Sequence, residues 1–477
     1  MRRRLFKRAA ARMACLFAGA AAFISLAPWP APAAFSQASS RAEKAQVVVY
    51  IETAVSTAEG VSLAFDSIVL AGDDVEVSLA LRRTAVSSID DAGRQVLLAE
   101  QAIQPGAYEW LRLYAHGVPA VTGDATTGVA VAGGRIDVAV DLEIGQGTAE
   151  PVFLTWTPTS VRRDGGVYAA RVAWSRADIP PPGSLVFVSN EGSDNLSVVN
   201  RFSRRVVDVI KVGLAPRGLV YSPFSQQLFV ANSGDNSIDV IDVPTRQPLR
   251  TVPLVFGDTP SRLELSPDER LLYVLNYGSS SLAVFDTQSF QEVGRYSLGS
   301  SPVGIATNRL SGYVYVTNRL SDNVNVYEPV NQSVTTTYAA GTSPTELILN
   351  SRAGSLYVCH DGQRTLTVLN ARTGEQTGTM NLCSEATGLA YNQTSNQLYV
   401  ASGRCSEIGV FKPENELNVG TVRLPDKPGL ITIDPENRQL FAVLPEADAL
   451  AVVNIITREM TAVIDTGHRP YQAVVPR

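Results

Sequence analysis

The stretch Gly312-Tyr313-Val314-Tyr315-Val316-Thr317-Asn318, followed after a short turn by Asn323-Val324-Asn325-Val326-Tyr327, decides the fold. Tyr, Val and Thr favour a pleated, packed surface. The intervening Ser321-Asp322-Asn323 provides residue types that form turns. The stretch therefore predicts a β-hairpin.

The same hairpin recurs along the chain. Its central aromatic residue returns at steps of 42, 44, 42, 42, 42 and 42 residues, at Phe187, Phe229, Tyr273, Tyr315, Tyr357, Tyr399 and Phe441. A fixed period of about 40–45 residues in an all-β pattern is typical of a β-propeller. Seven such units fill residues 184–477 and predict a seven-bladed propeller.

This repeat resembles the YVTN-repeat β-propellers of bacteria and archaea. Tyr315-Val316-Thr317-Asn318 is that motif letter for letter, and the segments that begin at Phe187, Phe229 and Tyr273 are close variants. The later copies drift, for example to Cys359-His360 where Thr-Asn would stand. The resemblance implies a propeller architecture but no particular activity, because one fold hosts many functions.

One end of the repeat region lacks a first strand, and the other end has a first strand to spare. Leu185 begins the second strand of a blade, whereas Tyr471–Val475 forms a first strand that no further strand follows. We expect this C-terminal strand to insert as the innermost strand of the blade begun at Leu185. Such an insertion closes the ring and removes the open edges of the sheet.

Residues 46–178 show strand patterns without the repeat. Arg135–Ile144 alternates apolar and mostly polar side chains with period two, which indicates a half-buried strand. About eight short strands separated by turn residues predict an antiparallel β-sandwich. Residues 104–113 also resemble a signature of a domain of unknown function on secreted bacterial proteins. The Pro-rich residues 179–183 are the predicted linker to the propeller.

The N-terminus has the features of a secretory signal peptide over residues 1–34. Basic residues precede an apolar run from Met13 to Leu26, and Ala31-Pro32-Ala33 resembles a cleavage site. The run is short for a spanning helix, although a retained anchor is the alternative. Residues 35–45 are a predicted disordered spacer. We therefore expect a periplasmic or secreted protein with no membrane span after cleavage.

The net charge of the chain argues against some classes of binding partner. Loss of the basic signal peptide lowers the formal net charge from −6 to about −12. An acidic chain is unsuited to nucleic acid, which is bound through clustered Lys and Arg. We expect a monomer that binds a protein or another component of the cell envelope.

Cysteine and histidine are few. Cys383, in the corner before one blade, and Cys405, in the next turn, are predicted to form a disulfide, which export permits. Cys359 is predicted to be a buried free thiol. The chain has three histidines and no Cys-x-x-Cys-His haem motif, so we predict neither a metal site nor a cofactor.

Charged residues interrupt the innermost strands. The residue two positions after the corner proline is commonly Gly or Leu, but it is Arg262 in one blade and Glu346 in another. Glu264 follows two residues later in the strand of Arg262. Charges in a crowded channel are costly unless paired or solvated. They therefore indicate either ion pairs that line the channel or a ligand site at its mouth. The candidate ligand-binding residues are Arg217, Arg262, Glu264, Glu346, His360 and His468.

Two functional classes follow from these patterns. The first is an exported, non-catalytic binding or scaffold protein that presents a propeller face. The second is a propeller hydrolase resembling lactonases, with a site at the channel mouth. A Gly-x-Ser-x-Gly nucleophile motif is absent from the sequence, and we assign no catalytic residues. We therefore favour the binding protein and leave the enzyme as the alternative.

Overall fold

The computed structural model describes residues 44–54, 61–72, 75–119, 130–131, 134–157, 167–168, 171–176, 180–414 and 416–476. These residues all belong to one compact unit, Ala42–Arg477. The predicted signal peptide and most of the predicted spacer lie outside the described residues. Within the described ranges, no helix has the length and apolar character needed to cross a membrane.

The chain is all-β, and its N-terminal part forms two main sheets. The strands described there are β1 (Ala45–Thr53), β2 (Val61–Ala71), β3 (Glu76–Leu79), β4 (Ala85–Ser87), β5 (Gln95–Ile103), β6 (Gly106–Pro119), β7 (Ala130–Val131), β8 (Arg135–Ile144), β9 (Ala149–Thr157), β10 (Val167–Tyr168) and β11 (Arg171–Ser175). One sheet has the order β11-β9-β1-β5 and the other β3-β2-β6-β8, with β4 also on β2. A single hydrophobic core lies between them, because the alternating apolar residues of both sheets point inward.

The expectation of a wholly antiparallel N-terminal region is wrong at two strand pairs, the short pair β7–β10 and the longer pair β1–β9. β1 and β9 are parallel, with Gln46 opposite Ala149 and Thr53 opposite Trp156. Parallel neighbours need a long crossover connection. The chain provides one, since it forms the whole second sheet between β1 and β9.

The remaining strands form seven four-stranded sheets within the described residues, which we call blades 1 to 7, and their strands a to d from the channel outward. Blade 1 contains β39 (Pro470–Val474), β12 (Leu185–Asn190), β13 (Asn195–Asn200) and β14 (Arg205–Lys211). Blade 2 contains β15 (Pro216–Ser222), β16 (Gln227–Asn232), β17 (Ser237–Asp242) and β18 (Gln247–Pro253). Blade 3 contains β19 (Pro260–Leu265), β20 (Leu271–Asn276), β21 (Ser281–Asp286) and β22 (Glu292–Ser297).

The other four blades repeat this order. Blade 4 contains β23 (Pro302–Thr307), β24 (Val314–Asn318), β25 (Asn323–Glu328) and β26 (Ser333–Ala339). Blade 5 contains β27 (Pro344–Asn350), β28 (Ser355–His360), β29 (Thr365–Asn370) and β30 (Gln376–Asn381). Blade 6 contains β31 (Ala386–Asn392), β32 (Gln397–Ser402), β33 (Glu407–Lys412) and β34 (Leu417–Arg423), and blade 7 contains β35 (Ile431–Asp434), β36 (Gln439–Leu444), β37 (Ala449–Asn454) and β38 (Glu459–Asp465).

Two repeated features give the blades a common shape. The recurring aromatic residue of strand b is buried in every blade, for example Phe187, Tyr315 and Phe441. A register shift recurs between strands c and d in every blade, for example at Val198/Val199 and Val240/Ile241. Such bulges increase strand twist. Every blade thus has a buried aromatic residue at the same place in strand b and a bulge at the same place between strands c and d. Adjacent blades therefore pack in the same way.

The innermost strands follow one another in cyclic order. Each strand a contacts that of the next blade, and β39 contacts both β35 of blade 7 and β15 of blade 2. β39 also pairs with β12, with Phe187 opposite Val474. The C-terminal strand thus completes the blade that begins at Leu185, and it stands between the first and last segments of the repeat region.

The N-terminal region packs on this part of the propeller. The outer face of its β1 sheet contributes Val48, Tyr50, Leu97 and Phe153 to an apolar cluster with blades 1 and 7. The same cluster contains Ala473 of β39. We call this contact the seam. It joins the beginning of the propeller, its end and the N-terminal sheet in one hydrophobic core.

A polar network reinforces the seam. The buried carboxylate of Glu100 accepts hydrogen bonds from Gln46, Ser193 and Asn195 at 2.7, 2.8 and 3.1 Å. It also accepts one from Arg82 at 3.1 Å. Burial raises the pKa of Glu100, and the donors offset part of that effect. The network thus links the N-terminal sheet to the b–c turn of blade 1.

We predict that deletion of residues 470–477 destabilises the whole propeller. The deletion leaves the edge of β12 unpaired and removes Ala473 from the seam core. We expect the melting temperature to fall by more than about 10 °C, or the protein to aggregate, because an exposed strand edge recruits other chains. Circular dichroism melting measures the change.

Deletion of 476–477 alone is the matched control, since it leaves β39 and Val475 in place. It should melt with the full-length protein. A 470–477 deletion that melts at the full-length temperature would show that β39 does not hold the propeller together.

Candidate functional site

One face of the propeller brings together the ends of many strands. The corner between strand d and the next strand a is hydrogen-bonded to the b–c turn beside it. Examples are the amides of Gly192, Gly234 and Gly278, which donate to the carbonyls of His468, Leu214 and Asp258 at about 2.9 Å each. We call this the corner face. Strand a begins here, so the first residues of each strand a lie at the channel mouth on this face.

Arg262 and Glu346 form an ion pair although they belong to blades 3 and 5. Both side chains are largely buried, and Arg262 Nε also donates to the carbonyl of Val303 at 3.4 Å. Burial raises the pKa of Glu346, and the charge of Arg262 offsets part of that rise. The pair connects blades that are not neighbours in the ring.

Tyr471 of β39 lies beside two guanidinium groups. Arg217 Cζ is 5.5 Å and Arg262 Cζ is 5.1 Å from the centroid of its ring. Both distances suit cation–π attraction. The C-terminal strand therefore contributes an aromatic side chain to the channel mouth, in contact with strands a of blades 2 and 3.

Glu191 holds Arg217 in place from the b–c turn of blade 1. Its Oε1 accepts hydrogen bonds from Nε and Nη2 of Arg217 at 2.9 and 2.7 Å. Arg469 Nη2 lies 3.6 Å from the other carboxylate oxygen, and its side chain is 61% exposed. We call Glu191, Arg217, Arg262, Glu346, Arg469 and Tyr471 the mouth cluster.

The sequence analysis names Arg217, Arg262 and Glu346 of this cluster but not Glu191, Arg469 and Tyr471. A signal was present for Tyr471, because it follows its corner proline directly, as Arg217 does. Residues at one position of successive strands a meet around the channel. Glu191 had no such signal, since its position in a b–c turn does not indicate which strand its side chain reaches.

Glu264 lies two residues farther along the strand of Arg262. Burial raises the pKa of its carboxyl to about 7, partly offset by the charge of Arg309. This places the group within reach of protonation at neutral pH. Glu264 therefore titrates in the range in which a carboxyl can act as an acid or a base.

The two propeller histidines bond to groups outside the mouth cluster. His360 is buried, its Nδ1 lies 2.9 Å from the carbonyl of Thr342, and its Nε2 lies 2.8 Å from Thr367 Oγ1. Burial lowers the pKa of His360. His468 Nδ1 lies 2.9 Å from Asp448, and the carbonyl of His468 accepts from Gly192. His360 joins its corner to strand c and His468 joins its corner to a b–c turn, and the part of either ring in a ligand site stays a prediction.

The predicted disulfide is not formed in this structure. Cys383 and Cys405 are neighbours on the corner face of blade 6, but both are free thiols. Burial, and hydrogen bonds to Cys405 and Glu407, raise the pKa of Cys383 to about 11. The raised pKa favours the protonated thiol of Cys383, which forms hydrogen bonds with its neighbours. Cys359 is a buried free thiol, as the sequence predicts.

Comparison with known proteins supports the propeller architecture. Residues 176–335 match the family described as "Lactonase, 7-bladed beta-propeller". No curated protein matches the chain. The family match covers the first half of the propeller and indicates a β-propeller of that general kind.

Solved structures agree on the fold at low identity. A functionally unknown protein from Desulfotomaculum acetoxidans aligns with a TM-score of 0.55 and 11% identity, over 61% of this chain and 98% of that one. The hydrazine synthase of Kuenenia stuttgartiensis aligns with a TM-score of 0.50 and 16% identity, over 60% and 94%. The Cps50 (Swd1) β-propeller domain of Myceliophteria thermophila aligns with 0.50 and 13%, over 59% and 96%.

We predict that Glu264→Gln stabilises the protein more at pH 8 than at pH 5. The folded-state pKa of about 7 lies above the ordinary value of 4.5. Between these values the folded chain holds a proton that the unfolded chain lacks. The free energy of unfolding of the native protein therefore falls as pH rises through this window.

Melting temperatures of both proteins at pH 5 and pH 8 test this prediction. Replacement by the neutral amide should raise the melting temperature at pH 8 and change it little at pH 5. The exposed Glu436→Gln serves as the control and should show no such dependence. An equal effect of Glu264→Gln at both pH values would contradict the raised pKa.

Proposed function

We propose that this chain is an exported, non-catalytic binding protein of the cell envelope that uses the mouth cluster to bind carboxylate groups of a partner. The observation that carries the proposal is the contact of Tyr471 with both Arg217 and Arg262 at the channel mouth. Tyr and Arg are the residue types enriched where binding energy concentrates. The seam supports them by holding β39 in place.

The charges of the cluster favour an acidic group. Arg217 and Arg469 share one carboxylate, that of Glu191, and their side chains are 31% and 61% exposed. A carboxylate from a partner could take a second position on these guanidinium groups, since Arg presents five donors in a fork. The three arginines of the cluster outnumber its two glutamates, whereas the whole chain has a net charge of −6.

The hydrogen bonds and ion pairs of the other polar groups also favour a binding protein over an enzyme. Arg262 and Glu346 bond to each other, and His468 bonds to Asp448. His360 uses both ring nitrogens within its own blade. A general base must be within reach of a substrate proton, and these groups already have protein partners.

A lactonase-like hydrolase is the second candidate. The family match over residues 176–335 favours it, and so does Glu264, whose pKa near 7 suits a general acid or base. In this alternative Glu264 would act on a substrate in the channel, and Arg262 would hold the substrate's carbonyl oxygen.

The proposal extends to architecture and location. The cyclic contacts of strands a and the pairing of β39 with β12 support a seven-bladed ring closed by the C-terminal strand. The shared core of two sheets supports a β-sandwich for residues 46–178, with 179–183 as linker and 184–477 as a YVTN-type propeller. We further propose cleavage of residues 1–34, a periplasmic or secreted location, and a monomer that does not bind nucleic acid.

A binding and turnover assay on the same samples distinguishes the two functions. Protein from the exported fraction is titrated with a panel of uronic acids and dicarboxylates, and is incubated with sugar lactones with and without divalent metals. We expect carboxylate binding that the Arg217→Ala/Arg469→Ala variant weakens by at least about 10-fold, since charge-assisted hydrogen bonds are lost. We expect no lactone turnover.

Arg319→Ala is the matched control, because Arg319 is an exposed arginine of a b–c turn that pairs with Asp361 outside the mouth cluster. It should bind like the native protein. Lactone turnover that Glu264→Gln abolishes would overturn the binding proposal in favour of the hydrolase. Carboxylate binding that is equal in all variants would exclude the mouth cluster as the site.

A further inference from the structure

Five blades share a polar clamp between strands b and c. An Asn ends strand b in blades 1 to 4, and its side-chain amide donates to residues five and, in three of them, seven positions later. In blade 1, Asn190 donates to Asn195 and Ser197 at 2.7 and 2.9 Å, and in blade 4, Asn318 donates to Asn323 and Asn325 at 2.7 and 2.8 Å. In blade 5, His360 contacts Thr367 instead.

The clamp explains a glycine at the corner. A Cβ added to Gly213 would lie 2.5 Å from Nδ2 of Asn232, and one added to Gly467 would lie 2.6 Å from Nδ2 of Asn190. Contacts below 3.0 Å do not occur for real Cβ atoms. Neither glycine has a positive φ. At these two corners the glycine is thus required by the Asn side chain beside it.

Blade 6 has a different residue at both positions, that of the corner glycine and that of the Asn that ends strand b. Cys383 occupies the corner-glycine position, three residues before Ala386 as Gly213 is three before Pro216, and Ser402 occupies the Asn position. The shorter serine leaves room for the cysteine side chain and hydrogen-bonds to it. The residue seven positions after Ser402 is Gly409, which has no side chain to accept a clamp hydrogen bond.

Three potential metal ligands stand where the clamp is missing. The sulfur atoms of Cys383 and Cys405 and a carboxylate oxygen of Glu407 all lie within 4.8 Å of one another. Cys383 comes from the corner, Cys405 from the b–c turn and Glu407 from the start of strand c. Cys405 is exposed and the other two are half-buried, so solvent reaches the group.

We propose that Cys383, Cys405 and Glu407 bind one Zn²⁺ ion, with a water molecule as the fourth ligand, and that the ion fastens the corner of blade 6 to its b–c turn. Zn²⁺ accepts Cys sulfur and carboxylate oxygen in tetrahedral sites. Ligands at its usual bond lengths lie about 3.5 Å apart, so a small inward movement of the three side chains forms the site.

Binding converts both thiols to thiolates and releases their two protons. The two thiolates and the carboxylate then carry three negative charges, which more than offset the two positive charges of the ion. Because these two protons must leave, binding is opposed at low pH. Zn²⁺ affinity should therefore increase with pH, as expected for thiolate sites.

The test is a titration of the full-length protein, purified with a chelator and a phosphine reductant and then freed of both. Zn²⁺ is added in competition with a chromophoric chelator, and Co²⁺ replaces it for spectroscopy. We expect one ion per chain and a thiolate-to-cobalt charge-transfer band in the near ultraviolet. We also expect a higher melting temperature with Zn²⁺, since a ligand bound only to the folded state stabilises it.

Variants of the three residues show whether they are the ligands. Cys405→Ser should weaken Zn²⁺ binding by more than about 100-fold and abolish the cobalt band, because changes outside the ligand set alone cost 10–100-fold. Glu407→Gln should weaken binding and keep the band. Arg404→Ala, a neighbouring exposed residue that pairs with Glu385, is the control and should bind like the native protein.

Three results would overturn the proposal. The first is a native protein that binds no Zn²⁺ under these conditions, and the second is a Cys405→Ser variant that binds it as tightly as the native protein does. The third is a Cys383–Cys405 disulfide, found by mass mapping in protein from the exported fraction that was grown with zinc and never exposed to a reductant or chelator.

Discussion

The structure depends on how the two ends of the propeller are joined. β39 pairs with β12 of blade 1, and its apolar residue Ala473 is buried with Tyr50 and Phe153 of the N-terminal region. On the face of the propeller away from the corner face, Arg201 of blade 1 bonds to Asp434 of the adjacent blade 7 and to the carbonyl of Gly183. The linker, the first blade and the last blade are thus held at one place, and hydrophobic burial is the main favourable contribution there.

The polar network of the seam adds specificity to this burial. A buried carboxylate without partners costs several kcal/mol, whereas Glu100 accepts hydrogen bonds from four side chains on both sides of the interface. Any displacement of the N-terminal sheet breaks several of these bonds together, because the donors Ser193 and Asn195 belong to blade 1. The seam also fixes Tyr471, two residues before Ala473 in β39, and thereby connects the stability of the fold to the geometry of the mouth cluster.

The sequence predicts the repeated part of this structure and misses the parts that do not repeat. The 42-residue column of aromatics predicts buried residues in every blade, and the alternation in β8 predicts its buried face. The Glu100 network draws on four separated segments without periodicity, so nothing in the sequence joins them. Residue type made His360 a candidate ligand, whereas the structure gives it the position and contacts of the structural Asn of other blades, and its ligand role stays a prediction. The parallel pair β1–β9 was missed because strand patterns do not indicate direction.

The central claim is that the N-terminal sheet holds the two ends of the propeller together. Hydrogen–deuterium exchange of the native protein and of Tyr50→Ala tests it most directly, because this side chain is fully buried in the seam and stacks on Phe153. The account predicts faster exchange in Leu185–Asn190 and Pro470–Val474, with no change in Val314–Asn318 of blade 4. Equal protection of all three segments in both proteins, or equal loss in all three, would contradict it.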